Sequence, residues 1–511
     1  MILRLVWQSL ARRPGRSLLL LGGYALGVGV TVALLSIGDA LVEQSRDREL
    51  LGGGDLLVLP AGIDVETLKT GGVSSLYFRI DRAAYFYREV LTSPRFAGVV
   101  EAAAPWIDDE LLYLEAGDET LAVSAGGEIP SLSRALGVGP ELVGGRWEDG
   151  RAAERWRAPS DSALRAGIDA FHLPEGPAAA DSTWAEWHYF NLRAPDDAWW
   201  LYLTYLVGGR VPDGRWGGRM LATLVSGDGT VRVYSETRDA EEARFHTDRP
   251  DLVIGPSRVA LDAAGRYRIS ASIPAADGSG DSLSVDLLLV PEPRRYLPPV
   301  DVSPGGFESG YVVPVLSGAA TGRVCDGGGC RSVADARAYH DHNWGVWRNV
   351  TWDWGKARAG DLSILYGGVR RRGADDDPAG ATGASSEEGG RFLFVVDSLG
   401  LRGVLPIREL VRFPGRAGAR GEPAAPDSIR VLAARGDERL TLRIRVAHAR
   451  LSRRSEEDEG ADRFVQMRGD VEVEGSLLGE PVRETGSGFF ETWVRKEAAS
   501  PAASDGERER E

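Results

Sequence analysis

Twenty-two consecutive residues without a charge, SLLLLGGYALGVGVTVALLSIG at 17–38, restrict this chain more than any other feature. A helix of that length rises about 33 Å, enough to cross a hydrocarbon core of roughly 30 Å. The residues before it carry Arg4, Arg12, Arg13 and Arg16 and no acid, whereas those after it mix Asp39, Glu43, Arg46, Asp47, Arg48 and Glu49. A cleaved leader would have a shorter apolar core and a small-residue cleavage site, which the sequence after Ser36 does not offer. The expectation is an uncleaved transmembrane helix over 17–41, with the basic flank 1–16 in the cytoplasm and the bulk of the chain outside. No second stretch of comparable length is apolar, which argues against a multi-span transporter built from this chain alone.

The formal charge of −15 speaks against nucleic acid as a partner, because counterion release needs a basic surface. Of the 60 basic residues only Lys69, Lys356 and Lys496 are lysines. The two cysteines, Cys325 and Cys330 in VCDGGGCR, are separated by a glycine-rich turn, and an oxidising compartment would favour a bridge between them.

From about residue 180 the apolar residues recur at every second position. Trp199, Leu201, Leu203, Tyr205 and Val207 share one face of WWLYLTYLV, and Tyr267, Ile269, Ala271 and Ile273 share one in RYRISASI. LSVDLLL aligns Leu283, Val285, Leu287 and Leu289, and RLTLRIRVAH aligns Leu440, Leu442, Ile444, Val446 and His448, which marks His448 as a core or cavity-lining residue. This period belongs to half-buried antiparallel strands, and the turns GDG at 227–229, DAAG at 262–265 and ADGSGD at 276–281 separate them at the short spacing of barrels and sandwiches. No alternation of strand and helix appears, which argues against a Rossmann or TIM architecture. The expected fold is therefore all-β. It divides into a segment at 42–150, a linker at 151–178 with room for one short helix, a first β domain at 179–300, a second at 301–495 and a disordered tail at 496–511. The acidic, Gly/Ser-rich runs at 372–390, 414–427 and 453–462 read as loops.

The residues capable of chemistry concentrate in two places. In YHDHNWGVW at 339–347, an extended backbone puts His340, His342 and Trp344 on one side and Asp341 and Asn343 on the other. Trp347, Trp352, Asp353 and Trp354 follow closely, and STWAEWHYF at 182–190 supplies Trp184, Glu186, Trp187, His188 and Tyr189. A His-x-His pair can ligate a metal, but further ligands, among them His188, Asp341 or Glu186, would have to come from elsewhere. The same run can be a satisfied hydrogen-bond network, and tryptophans at period two serve as core as readily as they line a site. No metal and no cofactor is expected.

Two resemblances follow from these residues. RLVWQSLARRPGRSLLLLGGYALGVGVTVALLSIGDAL, with GGGDLLVLPAGIDVE and the segment at 125–149, resembles the start of an FtsX/MacB-type ABC transporter permease, although the later spans of that family are missing. HDHNWG at 340–345, WDWG at 352–355 and EWHYFN at 186–191 resemble the carotenoid 1,2-hydratase (hydroxyneurosporene synthase) and AttH-type family over about 180–495. The resemblance implies two lipocalin-like β-barrels and cofactor-free addition of water across the C1=C2 bond of an acyclic carotenoid, or binding of a polyene. It also implies an association with ABC export systems.

Hydrating such a bond needs a donor able to protonate carbon and a surface that tolerates the cation. Asp341 is the expected acid, with His340 or His342 as relay and Tyr339 and Glu186 as further candidates. Trp344, Trp352 and Trp354, with Trp347, Trp187 and Tyr189, would line the ligand. The leading expectation is a membrane-anchored, extracytoplasmic binder of a long isoprenoid or lipid, linked to ABC transporter subunits. A carotenoid hydratase and a structural adaptor of an export complex remain the alternatives.

Overall fold

A computed structural model describes residues 14–45, 55–59, 80–117, 119–137, 148–157, 160–174, 176–195, 197–302, 309–347, 350–371, 391–415, 424–452 and 462–495. The expected tail and the acidic runs at 372–390 and 453–461 lie outside these residues. The chain forms two compact units, residues 1–78 with 100–154, and residues 79–99 with 155–511.

In the first unit, helix α1 (Pro14–Ser45) is long and apolar enough over Pro14–Ser36 to cross a membrane. Its Leu18, Leu19, Leu21, Leu34 and Leu35 are all exposed. Strands β1 (Trp106–Ala116) and β2 (Glu119–Glu128) form an antiparallel hairpin beside a short helix at Pro130–Ala135.

The second unit opens with helix α2 (Ile80–Thr92), which buries Tyr85, Tyr87, Arg88 and Glu89. Tyr85 meets Tyr296 edge-on at 5.3 Å, and Arg88 pairs with Asp161 at the start of helix α3 (Asp161–Ile168). Residues 80–99, expected as part of the 42–150 segment, thus pack on the β structure. The amphipathic face of α2 needs an apolar surface, and the sheet supplies it.

Twelve antiparallel strands follow: β3 (Trp184–Arg193), β4 (Trp199–Arg210), β5 (Arg215–Ser226), β6 (Val231–Asp239), β7 (Ala243–Phe245), β8 (Asp251–Ile254), β9 (Ser257–Leu261), β10 (Tyr267–Pro274), β11 (Ser282–Pro291), β12 (Leu297–Val302), β13 (Ser309–Asp326) and β14 (Gly329–Val346). They run in the order β6-β5-β4-β3-β14-β13-β11-β10-β9-β8-β7, with β12 paired to β13. The sheet curls into a nearly closed barrel. Tyr234 of β6 bridges to Ala275 just beyond β10, and a Cβ on Gly218 of β5 would touch Ile254 of β8. The alternating residues of β4, β10 and β11 named above all enter its inner core.

The remaining eight strands, β15 (Val350–Ala359), β16 (Leu362–Arg371), β17 (Phe392–Asp397), β18 (Gly400–Pro414), β19 (Pro426–Arg435), β20 (Glu438–Ser452), β21 (Asp462–Leu477) and β22 (Glu480–Arg495), form a closed antiparallel barrel. β22 returns to β15 through the register Trp354↔Glu491 to Ala359↔Gly486. Ile364, Leu393, Val431, Leu442 and Val473 are fully buried in its interior, as an eight-stranded barrel permits.

One expectation is corrected and two are refined. The boundary near residue 300 is displaced, because β13 and β14 pair with β11 and β3 and so complete the first sheet; the first sheet ends with β14 and the closed barrel begins with β15. The short helix expected in the linker at 151–178 is α3, and it is packed rather than free, with Leu164 and Ile168 buried. Of the two places expected for His448, core or cavity wall, the second holds: a bulge between Val446 and His448 shifts the register with β21 and turns the exposed imidazole to the wall of a cleft.

The outer face of the sheet packs on the outside of the closed barrel. Trp200, Tyr202, Tyr311, Val313, Leu316 and Tyr339 meet Trp354, Leu365, Val369, Phe394 and Phe489 in one buried cluster. Each such side chain withdrawn from water contributes about 1.5–3 kcal/mol.

Candidate functional site

Strand β14 separates two sites, because successive side chains of a strand face opposite ways. His340, His342 and Trp344 turn into the first barrel, while Tyr339 and Asp341 turn toward the junction with the second.

On the inner side, β3 lies beside β14 in the register His188↔His342 and Glu186↔Trp344. Four of the chain's six histidines gather here around two carboxylates. His342 bridges them, with Nδ1 2.9 Å from Asp169 Oδ1 and Nε2 2.6 Å from Glu186 Oε1. Burial disfavours its charge, but the bonds to Asp169 and Glu186 prevail and raise its pKa to about 9. Burial would likewise raise Asp169, yet the charges of His340 and His188 hold it well below the carboxylate range. His188 is pushed well down, first by burial and then by the charge of His342. Glu186 also accepts the backbone N–H of His172 at 2.8 Å and lies 3.0 Å from its Nδ1, while Tyr267 donates its hydroxyl to Asp169 at 2.6 Å. The His172 ring stacks on Trp344 at 3.8 Å.

On the junction side, Asp341 is 5% exposed and accepts the side-chain amide of Asn343 at 2.6 Å. Burial pushes its carboxyl up to about 7, against the hydroxyl of Tyr339, which stabilises the charged form; the charge of Glu491 adds to the rise. Glu491 on β22 accepts from Tyr189, Trp352 and Gln466, each at 3.3 Å, and burial raises its pKa as well. Trp354 donates to the Tyr339 hydroxyl, and Trp187 sits 4.9 Å from Trp347. Lys356, two residues along β15 from Trp354, is buried too; burial and then Arg358 lower its pKa to about 7. A cleft of about 120 Å³ nearby is lined by Tyr202, Val225, His448, Arg450, Gln466 and Arg468.

The candidates therefore divide. Asp341, Tyr339, Tyr189, Trp187, Trp347, Trp352 and Trp354 collect at the junction, and His340, His342, Glu186 and Trp344 collect inside the first barrel. A relay from either histidine to Asp341 would have to pass through the strand. Asp353 faces neither group, being held by Arg412 and Thr492. Cys325 and Cys330 are bridged at the tip of the β13–β14 hairpin, with an S–S distance of 2.03 Å. Asp169, His172, Tyr267, Lys356 and Glu491 were not expected. The scarcity of histidine and lysine is the one signal that could have singled out His172 and Lys356, whereas nothing local to the sequence marks Asp169, Tyr267 or Glu491 as site residues.

No protein-family model matches the chain, and no curated protein matches it. Among solved structures it is similar to an AttH-like protein of Nitrosomonas europaea (17% identity, 64% of this chain and 97% of that one, TM-score 0.43). It is also similar to CghA in complex with Sch210972 (15%, 64% and 94%, TM-score 0.39). Kievitone hydratase from Nectria haematococca is a third (14%, 65% and 97%, TM-score 0.39). Similarity at this level leaves the functional reading to the side chains themselves.

Proposed function

We propose that the protein acts on an apolar unsaturated molecule of isoprenoid or lipid type at the junction of its two β units, with Asp341 as proton donor. One placement carries this reading: a buried carboxyl, beside a second buried carboxyl and among Tyr339, Trp352 and Trp354. In hydration, the Asp341 proton would pass to one alkene carbon while the π electrons form the new C–H bond. The tertiary cation left on the other carbon would be tolerated by the aromatic faces, at about 0.5–2 kcal/mol each when desolvated. Water would then add its oxygen to that carbon and return a proton to Asp341. No redox partner is required.

A carrier that holds the molecule unchanged is the second reading. It draws on the half-open cleft beside Gln466, although at about 120 Å³ this is below the ~300–1,000 Å³ of ordinary ligand pockets. Helix α1 suits either reading, since both meet a molecule dissolved in a membrane, and a link to an export system belongs with the carrier.

Incubating the detergent-solubilised full chain with an acyclic carotenoid in D₂O separates the two. Hydration adds one D₂O to the product mass, and Asp341→Asn should abolish the product while retaining bound substrate. Normal turnover by Asp341→Asn would exclude the acid role, and an unmodified bound lipid without turnover would favour the carrier.

A further inference from the structure

Inside the first barrel, Asp169, His188 and His340 come from three separate parts of the chain and bring one ligand atom each within 4.8 Å of the others. His188 Nδ1 lies 3.4 Å from His340 Nε2 and 3.6 Å from Asp169 Oδ1, and His340 Nε2 lies 3.2 Å from Asp169 Oδ2. Donor atoms on a tetrahedral ion with bonds of ~2.0–2.1 Å stand ~3.3–3.4 Å apart, whereas on an octahedral ion with such bonds they stand ~2.9 Å apart. The 3.4 Å between His188 Nδ1 and His340 Nε2 matches the tetrahedral case, and the two Asp169 distances, which run to different oxygens, place its carboxylate within reach of the same point.

The surroundings of the three residues fit the same purpose. His340 Nδ1 is 3.0 Å from the carbonyl oxygen of Tyr189, which can only accept, so this nitrogen donates and Nε2 is the ring atom turned toward the other two ligand residues. Asp169 is oriented from behind by the Tyr267 hydroxyl at 2.6 Å and by His342 Nδ1 at 2.9 Å. A backbone carbonyl on the far side of a ligating histidine and hydrogen bonds to a ligating carboxylate are the usual supports of a metal centre. The neighbouring group His172, Glu186 and His342 is less suited, because 2.6 Å between His342 and Glu186 is a hydrogen-bond distance and too short for two ligands of one ion.

We propose that Asp169, His188 and His340 bind a divalent metal ion, zinc being the best fit to the ligand types and spacing, and that the ion ties β3, β14 and the turn after α3 together. The inference is independent of the acid role of Asp341, whose side chain faces the other side of β14.

The test uses the full chain in detergent, stripped with a chelator and titrated with Co²⁺ alone. The expected result is one equivalent bound, with the intense visible band of tetrahedral cobalt, lost on adding one equivalent of Zn²⁺. His188→Gln and His340→Gln should weaken binding at least 100-fold. Tyr267→Phe, which removes only one hydroxyl, should weaken it roughly 10–100-fold and keeps the test decisive if a histidine variant does not fold. Asp341→Asn should bind as the wild type does. Failure of the folded wild-type chain to take up Co²⁺ or Zn²⁺, or equal uptake by His340→Gln and Tyr267→Phe, would overturn the proposal.

Discussion

The indole N–H of Trp354 donates to the hydroxyl of Tyr339 across 2.8 Å, so the first strand of the closed barrel is bonded to the strand that carries Asp341. Both groups are buried. Trp354→Phe should therefore cost about 2–3 kcal/mol, from one hydrogen bond and part of the packed surface. Urea unfolding should show a lower midpoint with an unchanged slope.

A second bond across the junction is ionic. Arg295, 3% exposed, donates to the Asp361 carbonyl at 2.7 Å, the Ser363 hydroxyl at 2.9 Å and the Asp361 carboxylate at 2.5 Å, and pairs with Glu292 at 2.8 Å. Arg295→Met removes these bonds, while Glu292 keeps Arg358 and Ser317 as donors and the half-exposed Asp361 keeps Ser398, and should cost about 1–3 kcal/mol. Arg295→Lys should recover only part of the loss in the same measurement, since one ammonium cannot span the fork.

Lys356 gives stability a pH dependence of defined sign. Its pKa is lowered to about 7 in the fold from 10.5, so between these values the unfolded chain holds a proton that the native chain lacks. This contribution makes stability rise with pH through that window, by on the order of 5 kcal/mol in all, and below about pH 7 the full cost of charging the buried ammonium applies. Lys356→Met should be more stable than the wild type near pH 6 and should flatten the rise, as followed by unfolding between pH 6 and 10.

Gly310 lies opposite Trp344, and a Cβ there would come within 2.3 Å of the indole ring. Gly310→Ala should displace Trp344 from its stack on His172 and cost about 1–3 kcal/mol. Near-ultraviolet circular dichroism and thermal unfolding would register both effects.

Much of the β architecture was legible because it depends on local alternation. The faces of β4, β10 and β11 follow from period two, and the same rule separates Asp341 from His340 and His342. Longer-range pairing was not legible. The prolines at 298 and 299 read as a boundary, yet β13 and β14 cross back to pair with β11 and β3. Asp169 and His172 sit in a stretch with no sustained period and acquire a role only because Leu164 and Ile168 anchor the preceding helix. Glu491 becomes part of the junction through closure of the second barrel onto β15, where it pairs with Trp354, 137 residues earlier, a separation that no local pattern records. His448 lines a cleft, one of its two expected places, but its departure from the apolar face was not legible because a one-residue bulge cannot be seen in the alternation it interrupts.

The division of labour along β14 bears on how this protein can evolve. Tyr339 and Asp341 serve one compartment and His340 and His342 another, from consecutive positions of a single strand. Inserting or deleting one residue there would exchange the two sets, sending imidazoles to the junction and the acid into the histidine cluster. Descendants of this gene can therefore vary the strand by replacement, but a change in its length would disable both compartments at a stroke.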